Sequence, residues 1–135
     1  MTRPVIRVVA ALIDDGEGRL LLVRKRGTDR FMQAGGKPEA GEAPGTALVR
    51  ELEEELGLAV PESALAPVGA FSTEAANEPG HRLEAEVFRL PLPADVAAAL
   101  EPHAELAELR WSTPEEAAVL GDRLAPLARL LLPDA

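Results

Sequence analysis

The sequence predicts an α+β fold in which helices pack against one mixed β-sheet. Short apolar segments with β-branched residues, separated by glycine-containing turns, are typical of strands, and several such segments follow one another along the chain. One longer segment of strong helix formers interrupts them. The predicted order is β-β-β-α-β-β-β-α-α. Because strands and helices do not alternate as repeated βαβ units, this order argues against a doubly wound parallel sheet.

The composition is that of one globular domain. The chain has 135 residues, of which 47% are apolar and 27% are charged. This length suits one domain of roughly 100–200 residues, so we expect a single domain over residues 1–135. The sequence has no cysteine and only two histidines, His81 and His103. Disulfides and thiol catalysis are therefore excluded, and a histidine-rich metal site is not expected.

The chain is acidic, with 14 lysines and arginines against 23 aspartates and glutamates and a net charge of −9. Nucleic-acid polymers are bound by basic surfaces, so we expect no such partner. A small anionic substrate is still compatible, because a bound divalent cation inverts the local charge. No segment approaches the roughly 20 apolar residues of a membrane span. We therefore expect no membrane partner and a cytoplasmic location.

The first predicted elements form a β-hairpin. Apolar runs at residues 5–13 and 19–26 flank a cluster of Asp and Gly, a pattern typical of two antiparallel strands joined by a turn. Residues 27–37 contain three glycines and are predicted to be mostly loop, with a short strand at residues 31–34. Three strands therefore precede the first helix.

The first helix is predicted at residues 44–56. Proline at its first position and Gly57 after its end are typical helix boundaries. At about 100° per residue, Glu51, Glu54 and Glu55 share one face. Like charges three and four residues apart destabilise a helix, and a bound divalent cation would offset that repulsion; a solvated acidic surface is the alternative. Directly beside these carboxylates lies an apolar stripe, the leucine stripe, formed by Leu48, Leu52 and Leu56.

The second half of the chain is predicted to hold three strands and two helices. The strands lie at residues 66–73, 82–90 and 106–112, with a turn-rich loop at 74–80. The segment at 91–102, rich in Pro and Ala, is predicted to be a surface connection. Thr113 is expected to cap a helix that begins at Pro114, and residues 124–132 are predicted to form the last helix.

A spaced pattern surrounds the first helix. Gly35 and Gly36 precede it, and two glycines let the backbone turn sharply and approach a ligand closely. From Gly36 to Leu58 the sequence reads GKPEAGEAPGTALVRELEEELGL. This segment resembles the Nudix box in every defined position, which here are Gly36, Glu42, Arg50, Glu51, Leu52, Glu54, Glu55, Gly57 and Leu58. The chain therefore resembles a Nudix hydrolase.

The resemblance implies a fold and an activity. The fold would be an α/β/α sandwich around a mixed, curved sheet, with the box forming a loop, helix and loop. The activity would be hydrolysis of a pyrophosphate bond in a nucleoside diphosphate linked to another group, with Mg²⁺ or Mn²⁺ as cofactor and a small nucleotide as substrate. A homodimer is common in the family.

Three functions are compatible with this resemblance. We expect a pyrophosphohydrolase that acts on a nucleoside triphosphate, either common or modified. The alternatives are a pyrophosphatase for ADP-ribose or a nucleotide sugar, and a non-catalytic domain that senses nucleotides. Because the glutamates of the box are intact, the sensor is the less favoured alternative. The sequence contains no tyrosine, so it lacks the tyrosine that marks diadenosine-polyphosphate hydrolases of the family.

The box also implies functions for single residues. Carried over residue by residue, Glu51, Glu54 and Glu55 are expected to bind the metal, and in some members of the family one such glutamate acts as the base on water. Gly35 is expected to offer its carbonyl to a metal. Arg50 is expected to orient the glutamates without touching the substrate.

A further catalytic carboxylate is expected outside the box. Glu105 lies six residues before Trp111, a spacing similar to that of mutator-type Nudix pyrophosphohydrolases. It would serve as an additional metal ligand or as the base. Glu101 and Glu108 are the rivals for this position.

Basic residues near the end of the second strand often meet the substrate phosphates in this family. Arg24, Lys25 and Lys37 are the expected phosphate-binding residues, with Arg26 a further candidate. Alternation along a strand prevents Arg24 and Lys25 from facing the same side. The nucleobase would have to stack on one of four aromatic residues, each of which is also a core candidate: Phe31, Phe71, Phe88 and Trp111.

Overall fold

The structure is a computed structural model that describes residues 3–132. Within that range the sheet consists of β1 (Val5–Asp14), β2 (Leu20–Lys25), β3 (Phe31–Met32), β4 (Ala34–Gly36), β5 (Ala66–Glu74), β6 (Arg82–Pro91) and β7 (Leu106–Ser112). The α-helices are α1 (Pro44–Leu56), α2 (Ala94–Ala98), α3 (Pro114–Ala118) and α4 (Pro126–Leu131). No helix in this part of the chain is long and apolar enough to cross a membrane.

The sheet is mixed, as predicted. β1 and β6 pair in parallel along their whole length, and β5 adds antiparallel to β6 at one edge. On the other side of β1 the sheet forks. β1 meets β2 only at the pair Asp14 and Leu20, whereas β4 lies against β1 at Val9 to Ala11. β3 and β7 both pair with β2, so the sheet separates into a β1–β4 branch and a β2 branch.

Helices cover both faces of the sheet, which confirms the predicted sandwich. Alternate residues of a strand point to opposite faces, and β1 shows this clearly. Val9, Ala11 and Ile13 are buried with the leucine stripe of α1. Ala10, on the opposite face, is buried with Leu127 of α4. Burial of these side chains is the main source of stability for such a layered domain.

The predicted end of α1 and the predicted start of α3 are found in the structure, and each is set by a capping residue. Gly57 ends α1 in a left-handed conformation, with φ of 65°. Thr113 caps α3: its side chain accepts a hydrogen bond from the backbone N–H of Glu116, and the Glu116 side chain bonds back to Thr113. These contacts satisfy backbone groups that a helix end leaves without partners.

Three local predictions differ from the structure. The predicted strand at residues 31–34 is two short strands, β3 and β4. The predicted surface connection at residues 91–102 contains α2, because Ala97 is buried in the α1 core cluster. The last helix begins at Pro126 and not at Leu124, since Leu124 is extended and buried and the N–H of Ala125 donates to the carbonyl of Phe31.

Candidate active site

A cavity of about 380 Å³ lies at the fork of the sheet. A cleft of this size is within the range of small-molecule sites. Six residues predicted from the sequence line it together: Lys25, Gly35, Lys37, Glu51, Glu55 and Glu105. Two others, Arg24 and Glu54, are not part of its wall.

Glu55 is a carboxylate buried at the inner edge of α1. Its residue is only 2% exposed, and its Oε1 accepts a hydrogen bond from the backbone N–H of Gly35 at 3.0 Å. Burial raises the pKa of Glu55 to about 7; the hydrogen bond from Gly35 opposes that rise, and the negative charge of Glu51 adds to it. Glu55 is therefore a costly charge in the absence of a cation.

The two glycines before α1 are required by close contacts. Gly35 has a φ of 151°, and a Cβ there would lie 2.0 Å from the carbonyl oxygen of Val9. At Gly36 a Cβ would lie 2.4 Å from the carboxylate carbon of Glu51. Only glycine lets β4 fit between β1 and α1 at these positions. The Gly–Gly pair thus brings backbone and carboxylates together at one wall of the cavity.

Arg50 organises the acidic residues of the box. Its Nε and Nη2 each donate to the carboxylate of Glu42 at 2.9 Å, and Nη1 donates to Oε1 of Glu51 at 3.0 Å. Nη2 also donates to the carbonyl of Lys37 at 3.2 Å. The hydrogen bonds from Arg50, together with one from the backbone N–H of Glu39, hold the pKa of Glu42 down to about 2. Arg50 therefore ties the loop before α1 to the helix, in agreement with the orienting role that the resemblance implies.

Glu51 and Glu54 have different surroundings although both contact Arg50. The side chain of Glu51 is 13% exposed and lines the cavity, and burial raises its pKa. The side chain of Glu54 is 54% exposed and pairs with Nη1 of Arg50 at 3.4 Å. Both carboxylates share the Nη1 atom of Arg50, but Glu54 is not part of the cavity wall.

Glu105 reaches the cavity from the loop before β7. Its carboxylate lies 3.5 Å from Nζ of Lys25, which also lines the cavity. Its backbone is fixed by a hydrogen bond of 2.8 Å from the N–H of Arg26 to the Glu105 carbonyl. The rival Glu108 is held elsewhere by ion pairs with Arg24 and Arg110. Glu101 is exposed and does not line the cavity.

Arg24 is engaged outside the cavity. Its Nε donates to Glu108 at 3.1 Å and its Nη1 donates to the carbonyl of Thr28 at 2.8 Å. Arg24 and Lys25 are neighbours on β2, and the pairing of β2 with β7 shifts register between them. Lys25 lines the cavity and Arg24 does not. Of these two predicted phosphate-binding residues, the fold therefore brings only Lys25 to the carboxylates.

The wall of the cavity beyond the charged residues contains no aromatic side chain. None of the four aromatic residues expected to stack on a base lines it. Phe31, for example, is fully buried, with the guanidinium carbons of Arg110 and Arg123 4.5 and 5.1 Å from its ring centroid. Two cavity residues that the sequence analysis missed are the amides Gln33 and Asn77. They are the only glutamine and asparagine in the chain, which was the available signal.

The donor chemistry of the site fits a hard divalent cation. Glu51, Glu55, Glu105 and the carbonyl of Gly35 offer oxygen atoms only, as Mg²⁺ and Mn²⁺ prefer. Within residues 3–132, however, no three His, Cys, Asp or Glu side chains are already arranged to hold a metal ion. Glu51 is paired with Arg50, and Glu55 with the N–H of Gly35. The residues of the cavity therefore have the right chemistry to bind the metal, but their side chains are not already arranged as a ligand shell.

Comparison with known proteins agrees with this fold. A family model described as the NUDIX domain matches residues 4–134. The CTP pyrophosphohydrolase of Escherichia coli is 36% identical over 117 residues, covering 84% of this chain and 79% of that protein. The 8-oxo-dGTP diphosphatase of Haemophilus influenzae is 40% identical over 62 residues, covering 43% of this chain and 46% of that protein, less than half of its length.

A solved structure is also similar to this chain over most of its length. The solution structure of the Escherichia coli ORF135 protein superposes with a TM-score of 0.68 at 33% identity, covering 96% of this chain and 87% of that one. The family match spans nearly all of the described residues, and it includes the two glycines, Arg50 and the cavity carboxylates. The chain therefore belongs to the Nudix hydrolase family.

Proposed function

We propose that this protein is a divalent-metal-dependent pyrophosphohydrolase that cleaves a pyrophosphate bond of a nucleoside triphosphate, whether common or modified. The observation that carries the proposal is the shared cavity in which Glu51 and Glu55 of α1 face Lys25 and Lys37. Such a cavity combines acidic groups for a metal with basic groups for phosphate oxygens. Pyrophosphate hydrolysis needs both, because the substrate is a polyanion.

Five charged side chains of the cavity have a part in this proposal. Lys25 and Lys37 bind phosphate oxygens of the substrate. The metal, Mg²⁺ or Mn²⁺, is held by Glu51, Glu55 and the carbonyl of Gly35. Glu105, in the loop before β7, is a further ligand or the base that accepts a proton from water. When bound, the cation stabilises the charge of the phosphoryl group and lowers the pKa of bound water.

Arg50 and Glu54 act at the margin of the cavity. Arg50 holds Glu51 through the contact at 3.0 Å, so it positions a ligand without touching the substrate. Glu54 is largely exposed and pairs with the same guanidinium. We keep Glu54 in the proposed metal site because of its place in the box, as a more accessible carboxylate than Glu51 and Glu55.

The choice of a nucleoside triphosphate rests on two relatives. One is a CTP pyrophosphohydrolase that aligns with 84% of this chain, and the other is an 8-oxo-dGTP diphosphatase that aligns with a shorter part. The substrates named for both are triphosphates. These names support a triphosphate over ADP-ribose or a nucleotide sugar.

A panel of substrates tests the proposal. The purified protein is incubated with nucleoside triphosphates, an oxidised triphosphate, ADP-ribose and nucleotide sugars in Mg²⁺, Mn²⁺ or chelator, and the products are identified by mass. We expect hydrolysis of a triphosphate that stops in chelator. Preferred hydrolysis of ADP-ribose or a nucleotide sugar would replace the substrate class. Nucleotide binding by calorimetry without turnover would identify a sensor and contradict the proposed activity.

A further inference from the structure

The loop before β7 carries Glu105 on a strained segment of backbone. Ala104, the residue directly before Glu105, has a φ of 54°, in the left-handed region. Among the described residues it is the one residue other than glycine with a positive φ. A Cβ makes this conformation unfavourable, so it persists where other contacts impose it. The contacts that hold Ala104 therefore also set the direction in which the Glu105 side chain leaves the loop.

Backbone hydrogen bonds fasten this loop at both ends. The N–H of His103 donates to the carbonyl of Glu55 at 2.8 Å, which joins the loop to the last turn of α1. The N–H of Arg26, the residue after β2, donates to the carbonyl of Glu105 at 2.8 Å. These two bonds fix the loop on either side of Ala104, but neither of them involves Ala104 itself.

The side chain of Arg26 bonds to the strained residue directly. Its Nη2 donates to the carbonyl of Ala104 at 2.6 Å. In the antiparallel pairing of β2 with β7, Lys25 is opposite Leu106. Arg26 therefore comes opposite Glu105, and from there its side chain reaches the residue before it. A hydrogen bond from a charged guanidinium is stronger than one between neutral groups, so this contact is suited to hold Ala104 in place.

Arg26 and Lys25 contact the loop at different points. Lys25 lines the cavity, and its Nζ lies 3.5 Å from the Glu105 carboxylate. Arg26 was a further candidate for binding phosphate, but it is not part of the cavity wall. Its guanidinium is engaged with the backbone of the loop. The geometry therefore suits Lys25 to meet the substrate and Arg26 to orient Glu105.

We propose that Arg26 is a positioning residue, which directs the Glu105 carboxylate toward the cavity by holding Ala104 in its left-handed conformation. The inference rests on the proposed function, in which Glu105 is a metal ligand or the base. Displacing a catalytic group by about 1 Å reduces a rate by up to about a hundredfold, so a contact remote from the substrate is sufficient to affect turnover. Binding of the phosphates by Lys25 and Lys37 does not depend on this contact.

Steady-state kinetics with a nucleoside triphosphate distinguishes positioning from phosphate binding. Arg26→Met keeps the aliphatic part of the side chain and removes the donor, so we expect kcat to fall about tenfold or more while KM stays within about twofold of wild type. Arg26→Lys keeps a charged donor and should lose less. Arg89→Met is the matched control, because Arg89 is an exposed arginine outside the cavity and its replacement changes the net charge equally. An unchanged kcat in Arg26→Met would overturn the proposal, and a raised KM in that case would assign Arg26 to phosphate binding.

Double variants test whether Arg26 acts through its neighbours in the loop. In a Glu105→Gln background, Arg26→Met should lower kcat no further, because positioning matters only while the carboxylate is present. In an Arg26→Met background, Ala104→Gly should restore part of kcat, because glycine adopts a φ of 54° without an external contact. Losses that multiply in the first double variant, or no recovery in the second, would overturn the proposal.

Amide hydrogen exchange in chelator observes the loop without substrate or metal. The N–H groups of His103 and Leu106 bond to the carbonyls of Glu55 and His103. In Arg26→Met both should exchange at least about fivefold faster than in wild type, whereas the N–H of Leu52, in the middle of α1, should exchange at the wild-type rate and confirm the fold.

The combined results separate this proposal from the proposed activity. If wild type hydrolyses no triphosphate but Arg26→Met accelerates exchange in the loop, the activity is refuted and the hold of Arg26 on the loop stands. If triphosphates are hydrolysed and neither kcat nor exchange responds to Arg26→Met, the activity stands and the positioning role is refuted. The absence of both hydrolysis and a change in exchange refutes both.

Discussion

Glu55→Gln should stabilise the metal-free protein at alkaline pH. The carboxylate is almost fully buried, and its pKa is about 7 against an ordinary value of 4.5. Each pKa unit corresponds to about 1.4 kcal/mol, so ionising Glu55 in the folded state costs about 3 kcal/mol at pH 8. For a domain of this size that free energy corresponds to about 10 °C in melting temperature.

The sign of the pH dependence follows from which state binds the proton more tightly. The folded state holds the proton of Glu55 up to about pH 7, whereas the unfolded chain releases it near 4.5. The free energy of unfolding of the metal-free wild type therefore falls as pH rises from about 4.5 to 7. Glu55→Gln cannot ionise. Its Oε1 still accepts from Gly35, and any constant cost of its amide NH₂ group is independent of pH.

Thermal unfolding in chelator between pH 5 and pH 8 measures this effect. The melting temperature of Glu55→Gln minus that of wild type should rise by about 10 °C over that interval. Glu53→Gln is the matched control, because Glu53 lies on the same helix and is exposed. A difference in melting temperature between wild type and Glu55→Gln that stays the same from pH 5 to pH 8 would refute the reasoning. Mg²⁺ should stabilise wild type and should stabilise Glu55→Gln much less, because the variant lacks one ligand charge.

Three further outcomes are expected. Gly36→Ala places a methyl group 2.4 Å from the Glu51 carboxylate carbon, so it should reduce metal-dependent activity with little change in melting temperature. Gly35→Ala places a methyl group against the Val9 backbone and should unfold the protein. Equal effects of the two variants on melting temperature would contradict this expectation. Glu42→Gln should lower the melting temperature above about pH 4.5, because the ionised Glu42 that it removes stabilises the folded state. The difference in melting temperature from wild type should disappear as the pH falls toward 2, where Glu42 becomes protonated. A difference that does not vary with pH would argue against the pairing with Arg50. Glu105→Gln should reduce kcat at saturating Mg²⁺ and Glu101→Gln should not, since only Glu105 lines the cavity; the reverse order would move the role to Glu101.

Local periodicity made α1 predictable to the residue. The spacing of its leucines and the positions of Pro44 and Gly57 fix both ends and the buried face. The same spacing places Glu55 beside the leucine stripe, but its burial depends on the backbone of Gly35 lying across it, a long-range contact. The raised pKa of Glu55 therefore could not be predicted from the helix alone.

Side-chain direction on β2 shows the limit of strand patterns. Alternation predicts that Arg24 and Lys25 face opposite sides, but it does not say which of them faces the cavity. The pairing of β2 with β7 decides this by placing Glu108 opposite Arg24. The helix α2 was missed because it has only five residues, three of them alanine, which give little periodicity. The burial of its Ala97 comes from packing against the α1 core.

The most direct test of the account compares Glu51→Gln with Glu53→Gln. Glu51 lines the cavity and is held by Arg50, whereas Glu53 is an exposed glutamate two residues along the same helix. The rate of nucleoside triphosphate hydrolysis is measured at saturating substrate and Mg²⁺, with circular dichroism to confirm folding. If the cavity carboxylates hold the catalytic metal, Glu51→Gln loses at least about a hundredfold in kcat and Glu53→Gln keeps the wild-type rate. A folded Glu51→Gln protein with wild-type activity would contradict the placement of the active site in this cavity.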